Sequence, residues 1–196
     1  PRSARIMDME YAIGKEYIEG RQNSFFGLLS NTKRGEEILN HLVETYPSGQ
    51  RAADAQWLIC QYYFGSEDWP KAEGAFQLLA ENYPRSEWYP AAMYYTAYSA
   101  YRQTKGVEYD PDTMYRAREA FGDYLSRVEN PQWAAEAKAI VAALEDLEAR
   151  HLLYVGNWYL GQGKPYSARY YLNAVIAKYP ESAAAAEAKA SLPDVA

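Results

Sequence analysis

Residues 154–182 read YVGNWYLGQGKPYSARYYLNAVIAKYPES. The spacing of small, aromatic and proline residues in this stretch settles what kind of chain this is. Gly156 is followed by Tyr159, then by Ala168 twelve positions after Gly156, by Leu172 four positions later and by Pro180 eight after that. Gly161-Gln162-Gly163 breaks the apolar periodicity midway, and proline stops the second half. The two halves predict two helices joined by a tight turn. A small residue in each, Gly156 and Ala168, sits where antiparallel helices must approach closely.

The same intervals recur towards the N-terminus. Cys60, Tyr63, Ala72, Phe76 and Pro84 keep every one of them. Gly14, Tyr17, Gly35, Leu39 and Pro47 keep them apart from nine extra residues between the two small positions. A further copy runs Ala97, Ala100, Ala117, Phe121, Pro131, with eight extra residues in the middle and two before the proline. Tyr-Pro closes three copies, at Tyr46-Pro47, Tyr83-Pro84 and Tyr179-Pro180, with Ser48, Ser86 or Ser182 within two residues. Asn130-Pro131 closes the other copy. Together these match the tetratricopeptide pattern L-G-x2-Y…A-x3-F…P. One such hairpin cannot bury its apolar face alone, so the pairs must stack.

The expected fold is therefore all-α: a right-handed superhelical solenoid of about four tetratricopeptide-like helix pairs plus a C-terminal stub helix. The pairs fall at roughly 4–47, 50–84, 87–131 and 131–180, with a capping helix at 182–191, in a single array over 1–196. Helices are predicted at 4–20, 33–46, 50–65, 69–83, 87–104, 112–127, 131–161, 165–179 and 182–191. Composition agrees. Alanine contributes 31 of the 196 residues, whereas Val, Ile and Thr together give 19, too few for a β-protein. Net charge is −6, without the basic footprint of a nucleic-acid binder. A lone cysteine, Cys60, precludes an internal disulfide and occupies a helix-crossing slot, where a packed, inert thiol is expected. No apolar run approaches the ~18 residues of a membrane span.

The extra residues fall in two insertions. The first, GRQNSFFGLLSNT at 20–32, presents Phe25, Phe26, Leu28 and Leu29. They either fold back as a cap on the first pair or form a docking site for a partner or a membrane surface. The second, QTKGVEYDPDT at 103–113, reads through Tyr109-Asp110-Pro111-Asp112 as a turn and helix N-cap.

No constellation supports catalysis. His41 and His151 are the only histidines and lie in separate repeats, outside any metal-binding spacing. Glu145, Asp146 and Glu148 read as one solvated face of the long helix. Gly161-Gln162-Gly163-Lys164 is a helix-ending turn rather than a phosphate loop. No metal, cofactor or small-molecule substrate is expected. What remains is aromatic. Counted from the small residue of each first helix, the outward face carries Tyr11, Lys15 and Ile18 in repeat one. It carries Asp54, Trp57, Gln61 and Phe64 in repeat two, Tyr94, Tyr98, Tyr101 and Arg102 in repeat three, and Leu153, Asn157 and Leu160 in repeat four. These side chains either line a groove for an extended or helical peptide carrying aromatics or are covered by neighbouring repeats.

The order of elements resembles a known family. Met93-Tyr94-Tyr95 leads the third pair, YDPDTMYRAREAF closes its insertion, and a long helix with Leu144, Leu147 and Glu148 runs into residues 154–182. Over roughly residues 9–190 this is similar to the BamD/ComL lipoproteins of the bacterial outer-membrane β-barrel assembly machinery. The resemblance implies a non-enzymatic scaffold on the periplasmic face of the outer membrane, held by a lipid on a cysteine outside this sequence. It implies contacts with the barrel-forming assembly subunit and recognition of unfolded outer-membrane proteins. The chain departs from the family in its first insertion and in carrying only a stub of a fifth repeat. Two other readings stay open. One is a different periplasmic tetratricopeptide adaptor, such as a CpoB-like cell-division coordinator or a pilus-assembly lipoprotein. The other is a regulatory repeat domain of a larger cytoplasmic protein.

Overall fold

A computed structural model describes residues 2–23, 32–109 and 111–192 of the chain. Nine helices and no strand occur among the described residues: α1 (Arg2–Asn23), α2 (Thr32–Thr45), α3 (Ala52–Gly65), α4 (Trp69–Asn82), α5 (Tyr89–Tyr101), α6 (Asp112–Arg127), α7 (Ala134–Gly161), α8 (Pro165–Lys178) and α9 (Ala183–Ala190). Each predicted helix is present, so the all-α expectation holds. None of the described helices is long and apolar enough to cross a membrane. Phe25, Phe26, Leu28 and Leu29 lie outside the described residues. The chain forms two compact units, Pro1–Ser99 and Ala100–Ala196.

In unit 1, α1 packs on α2, α2 on α3 and α3 on α4. The crossings are as tight as the spacing requires. A Cβ built on Gly14 would lie 2.6 Å from Leu39 Cδ2, and one on Gly35 would lie 2.9 Å from the Gly14 carbonyl oxygen. Around these contacts Leu39, Leu42, Leu58, Ile59, Phe76 and Leu79 form the core, with Cys60, Ala72 and Ala92 filling close approaches. Burying each of the large side chains is worth about 1.5–3 kcal/mol. Burial also pushes the Cys60 thiol far above its ordinary pKa, as the inert reading requires.

The repeat punctuation has a common geometry. Tyr83 caps α4 at φ −128°, ψ 54° and Tyr179 caps α8 at φ −131°, ψ 55°. Each leaves the helix with its N–H still bonded four residues back, because the following proline forbids continuation. Ser86 and Ser182 then donate both backbone N–H and hydroxyl to the carbonyl of that tyrosine, at 3.0 and 2.8 Å in each copy. Ser182 goes on to cap α9 by accepting from the Ala185 N–H at 3.1 Å. In the first copy Ser48 comes one residue early, and the Gly49 N–H closes the turn at 2.8 Å instead. The turns inside the pairs also repeat: Glu67 (φ +57°) before α4 corresponds to Gly163 (φ +67°) before α8. Glycine adopts this left-handed backbone freely, whereas Glu67 is strained there.

In unit 2, α6 packs on α7, and α7 on both α8 and α9. Gly156 on α7 meets α8 so closely that an added Cβ would lie 2.7 Å from Leu172 Cδ2. The 28-residue α7 begins at Ala134 rather than 131, because Asn130 turns the chain at φ +51° and the Pro131 carbonyl oxygen accepts from the Ala134 N–H. The Tyr124 hydroxyl takes the Trp133 N–H at 3.0 Å and anchors this corner. Pro111, not an aspartate, occupies the N-cap position of α6, and Asp112 sits in the first turn, where its charge favours the helix dipole.

One expectation fails here. Glu145 and Asp146 are exposed, but Glu148 is 0% exposed. Its carboxylate accepts from Arg118 Nε on α6 at 2.7 Å and from the Tyr179 hydroxyl at the end of α8. A carboxylate so buried persists only when paired and hydrogen-bonded, and here both oxygens are engaged. Glu148 therefore ties three helices together at the midpoint of α7. Its negative charge also contributes to raising the Tyr179 phenol, after burial and their shared hydrogen bond.

Candidate functional site

The first helices of unit 1 converge on a cleft of about 700 Å³. Ile18 and Glu19 come from α1, Trp57, Leu58, Gln61, Tyr62, Phe64 and Gly65 from α3, Phe76 from α4 and Tyr95 from α5. Trp57, Gln61 and Phe64 lie at helical spacing on one face of α3, which is why one helix supplies most of a wall.

Its aromatic walls are held by one another. Trp57 stacks on Trp88 at 4.7 Å and 9° and meets Phe76 edge-on at 5.7 Å. Phe64 makes T-shaped contacts with Tyr95 at 5.0 Å and with Trp69 at 5.4 Å. Tyr95 lies against Phe76 at 5.3 Å. Such pairs add about 0.5–1.5 kcal/mol each beyond the area they bury. A polar network fixes Trp88 behind Trp57. Trp88 Nε1–H donates to Asp54 at 2.9 Å, and Arg51 spans Asp54 and Asp8 at 3.3 and 2.8 Å. The guanidinium also lies 5.3 Å from the centroid of the Tyr11 ring. Burial, then the Asp54 charge, raises the Tyr11 phenol above its ordinary pKa. Elsewhere on α3, Tyr63 donates to Glu36 and carries Lys71 5.4 Å from its ring centroid. Burial and that hydrogen bond raise the Tyr63 phenol.

The residues expected in a groove divide accordingly. Trp57, Gln61 and Phe64 line the cleft. Tyr11 and Lys15 lie on α1 beside it, Tyr11 in the arginine network and Lys15 paired with Glu19 at 3.6 Å. Tyr98 reaches the Phe64 ring at 5.9 Å. Tyr94 is 3% exposed, packed on Tyr95 and Tyr98, and so belongs to the core rather than to an open groove. Its neighbour Tyr95 supplies the wall instead. Tyr101 and Arg102 fall in unit 2, half-buried and exposed respectively. The cleft offers ring faces and edges, one amide and one carboxylate, a lining that suits apolar and aromatic side chains of an extended segment.

Sequence reasoning missed Tyr95 as a lining residue because the third first helix has lost its landmark: Ala100 stands where other copies have Tyr17, Tyr63 or Tyr159; it also missed Tyr62 on α3 and Phe76 on α4. It also missed exposed rings in unit 2, two on α7 and two on α8. Tyr154, Trp158, Tyr166 and Tyr170 are among the most exposed large side chains described. The histidines do not converge on the cleft. His41 faces Glu10 at 3.6 Å, and His151 bonds the Val107 carbonyl through Nδ1, fastening the second insertion to α7.

Comparison with known proteins gives one positive result. Residues 29–193 match the family described as YfiO, outer membrane lipoprotein. Among curated proteins nothing matches. The matched span takes in the described helices α2 to α9, including the Tyr-Pro-x-Ser corners and the Glu148 tie. With so much of the chain matched, it belongs to the YfiO family of outer membrane lipoproteins.

Proposed function

We propose that this chain is a non-enzymatic scaffold of outer-membrane β-barrel assembly, working at the periplasmic face of the outer membrane beside a barrel-forming subunit. In this reading the cleft of unit 1 holds segments of unfolded outer-membrane proteins. The observation that carries the reading is the cleft itself: Trp57, Phe64, Phe76 and Tyr95 around about 700 Å³ in a member of an outer membrane lipoprotein family. Strands of such barrels alternate apolar and polar residues over about ten positions, with aromatics at both interfaces. An extended strand of this kind presents apolar side chains every second residue, with rings near its ends, a fit to an aromatic wall.

The test is titration of fluorescein-labelled ten-residue peptides with alternating aromatic and polar residues, read by anisotropy. Gln61 is exposed and lines the cleft, so Gln61→Trp fills it without opening the core. Binding by the parent chain, weakened at least tenfold by Gln61→Trp at unchanged melting temperature, supports the reading. No binding, or equal binding by the filled variant, removes the cleft from the function.

A further inference from the structure

Among the described lining residues of the unit 1 cleft, Gln61 carries the one side-chain amide. Trp57 stands one turn before it on α3 and Phe64 one turn after, and both line the same cleft. Those rings are held in place, Trp57 by Trp88 at 4.7 Å and Phe64 by Trp69 at 5.4 Å. Gln61 is not held. It is exposed, and among the described residues no hydrogen bond engages its amide. Gln56 on the same helix shows the contrast, since it is buried and its amide donates to the Ala75 carbonyl at 3.3 Å.

The position recurs. Gln61 directly follows Cys60, the small residue of its helix crossing, and Asn157 directly follows Gly156, the small residue of the next unit's crossing. Asn157 too lines a cleft, one of about 260 Å³ walled by α7 and α9. Its amide likewise makes no hydrogen bond among the described residues. Two first helices, each in its own unit, thus place an unengaged amide at the same register, where packing requires none.

We propose that Gln61 is the specificity-determining residue that reads the main chain of the segment in the unit 1 cleft. The inference rests on that cleft holding extended polypeptide. In an extended chain the N–H and C=O of one residue point to the same side, as they do in a paired strand. A primary amide presents a donor and an acceptor together, so the Gln61 side chain meets both groups as a neighbouring strand would. Trp57 and Phe64 then receive apolar side chains on either side of the contacted residue. The α3 wall complements this ligand in charge, because no charged residue occurs from Ala55 to Ser66. A helical ligand offers the amide no such pair, since its N–H and C=O groups bond within the helix. Main-chain readout is indifferent to side-chain identity, which suits a cleft that accepts many unfolded segments sharing only an extended, unpaired backbone.

The experiment is a double-mutant cycle between the ligand backbone and the cleft, read by fluorescence anisotropy. The probe is a fluorescein-labelled ten-residue peptide of alternating tyrosine and threonine, with one backbone nitrogen methylated at a time. In the parent chain, methylation at one central residue should weaken binding about tenfold, and methylation elsewhere by less than about threefold. Gln61→Leu keeps the volume and loses the amide; it should bind the unmethylated peptide about fivefold more weakly at unchanged melting temperature. At the sensitive residue, methylation should then weaken Gln61→Leu by less than about twofold. Gln61→Asn keeps the amide on a shorter stem and should retain part of the sensitivity. The inference alone is overturned if the peptide binds but methylation weakens Gln61→Leu as much as the parent, or if every backbone position is equally sensitive. Failure of the parent chain to bind the unmethylated peptide overturns both the inference and the role of the cleft.

Discussion

Removing the Glu148 carboxylate tests the tie at the middle of α7. The side chain is 0% exposed and both oxygens are engaged, whereas the Arg118 side chain remains 38% exposed. Glu148→Ala leaves the Tyr179 hydroxyl without its acceptor, which costs about 1–3 kcal/mol. It also leaves a guanidinium facing a cavity. Breaking a fully buried ion pair costs about 3–5 kcal/mol, but exposure of Arg118 lets water take over part of that role. The sum expected is about 2–4 kcal/mol. Glu148→Gln keeps the shape and an acceptor and should cost about half as much. The assay is urea unfolding followed by circular dichroism, with the midpoint falling while the slope stays constant. The Arg118→Leu, Glu148→Leu double variant should recover most of the loss, since apolar replacement of a buried pair is often neutral. If Glu148→Ala changes stability by less than about 0.5 kcal/mol, the effect of an ordinary surface site, the carboxylate is solvated and the tie does not exist.

Other perturbations follow from single distances and angles. Gly156→Leu drives a side chain into Leu172, where even a Cβ would lie 2.7 Å from Cδ2, and should destabilise by about 1–3 kcal/mol or more by denaturant unfolding. Glu67→Gly relieves a left-handed backbone and should stabilise by about 1 kcal/mol; a loss of stability would refute the strain. Tyr63 and Tyr179 hold their protons more tightly folded than unfolded, so their contribution is complete below pH ~10 and declines as pH rises through their folded pKa values. Ultraviolet titration of tyrosinate should show one late-ionising group fewer in Tyr179→Phe than in the parent. Cys60 should resist iodoacetamide in the native chain and react on unfolding; rapid native labelling would show that its helix crossing is open.

The helix pairs could be read from sequence because their determinants are local and repeated. Gly156, Ala168, Leu172 and Pro180 sit at intervals set by helix geometry and turn length, and the structure buries the first three and ends α8 just before the fourth. Trp57, Gln61 and Phe64 were legible for the same reason. Glu148 was not. Within Leu144-Glu145-Asp146-Leu147-Glu148 its charge matches a solvated face, and its partners lie 30 residues before and 31 after. Tyr94 and Tyr95 exchanged roles because one residue rotates a side chain by about 100° around a helix, and the third pair lacks the tyrosine that fixes the rotation elsewhere.

The central claim is that the unit 1 cleft receives unfolded outer-membrane protein segments. Site-specific photocrosslinking tests it most directly: benzophenone-alanine at Gln61, inside the cleft, compared with Gln77, exposed on α4 and bonded to Glu81. With an unfolded β-barrel protein as bait, a crosslinked adduct from position 61 and none from 77 is the predicted result. Equal adducts from both positions, or none from 61, would contradict the account.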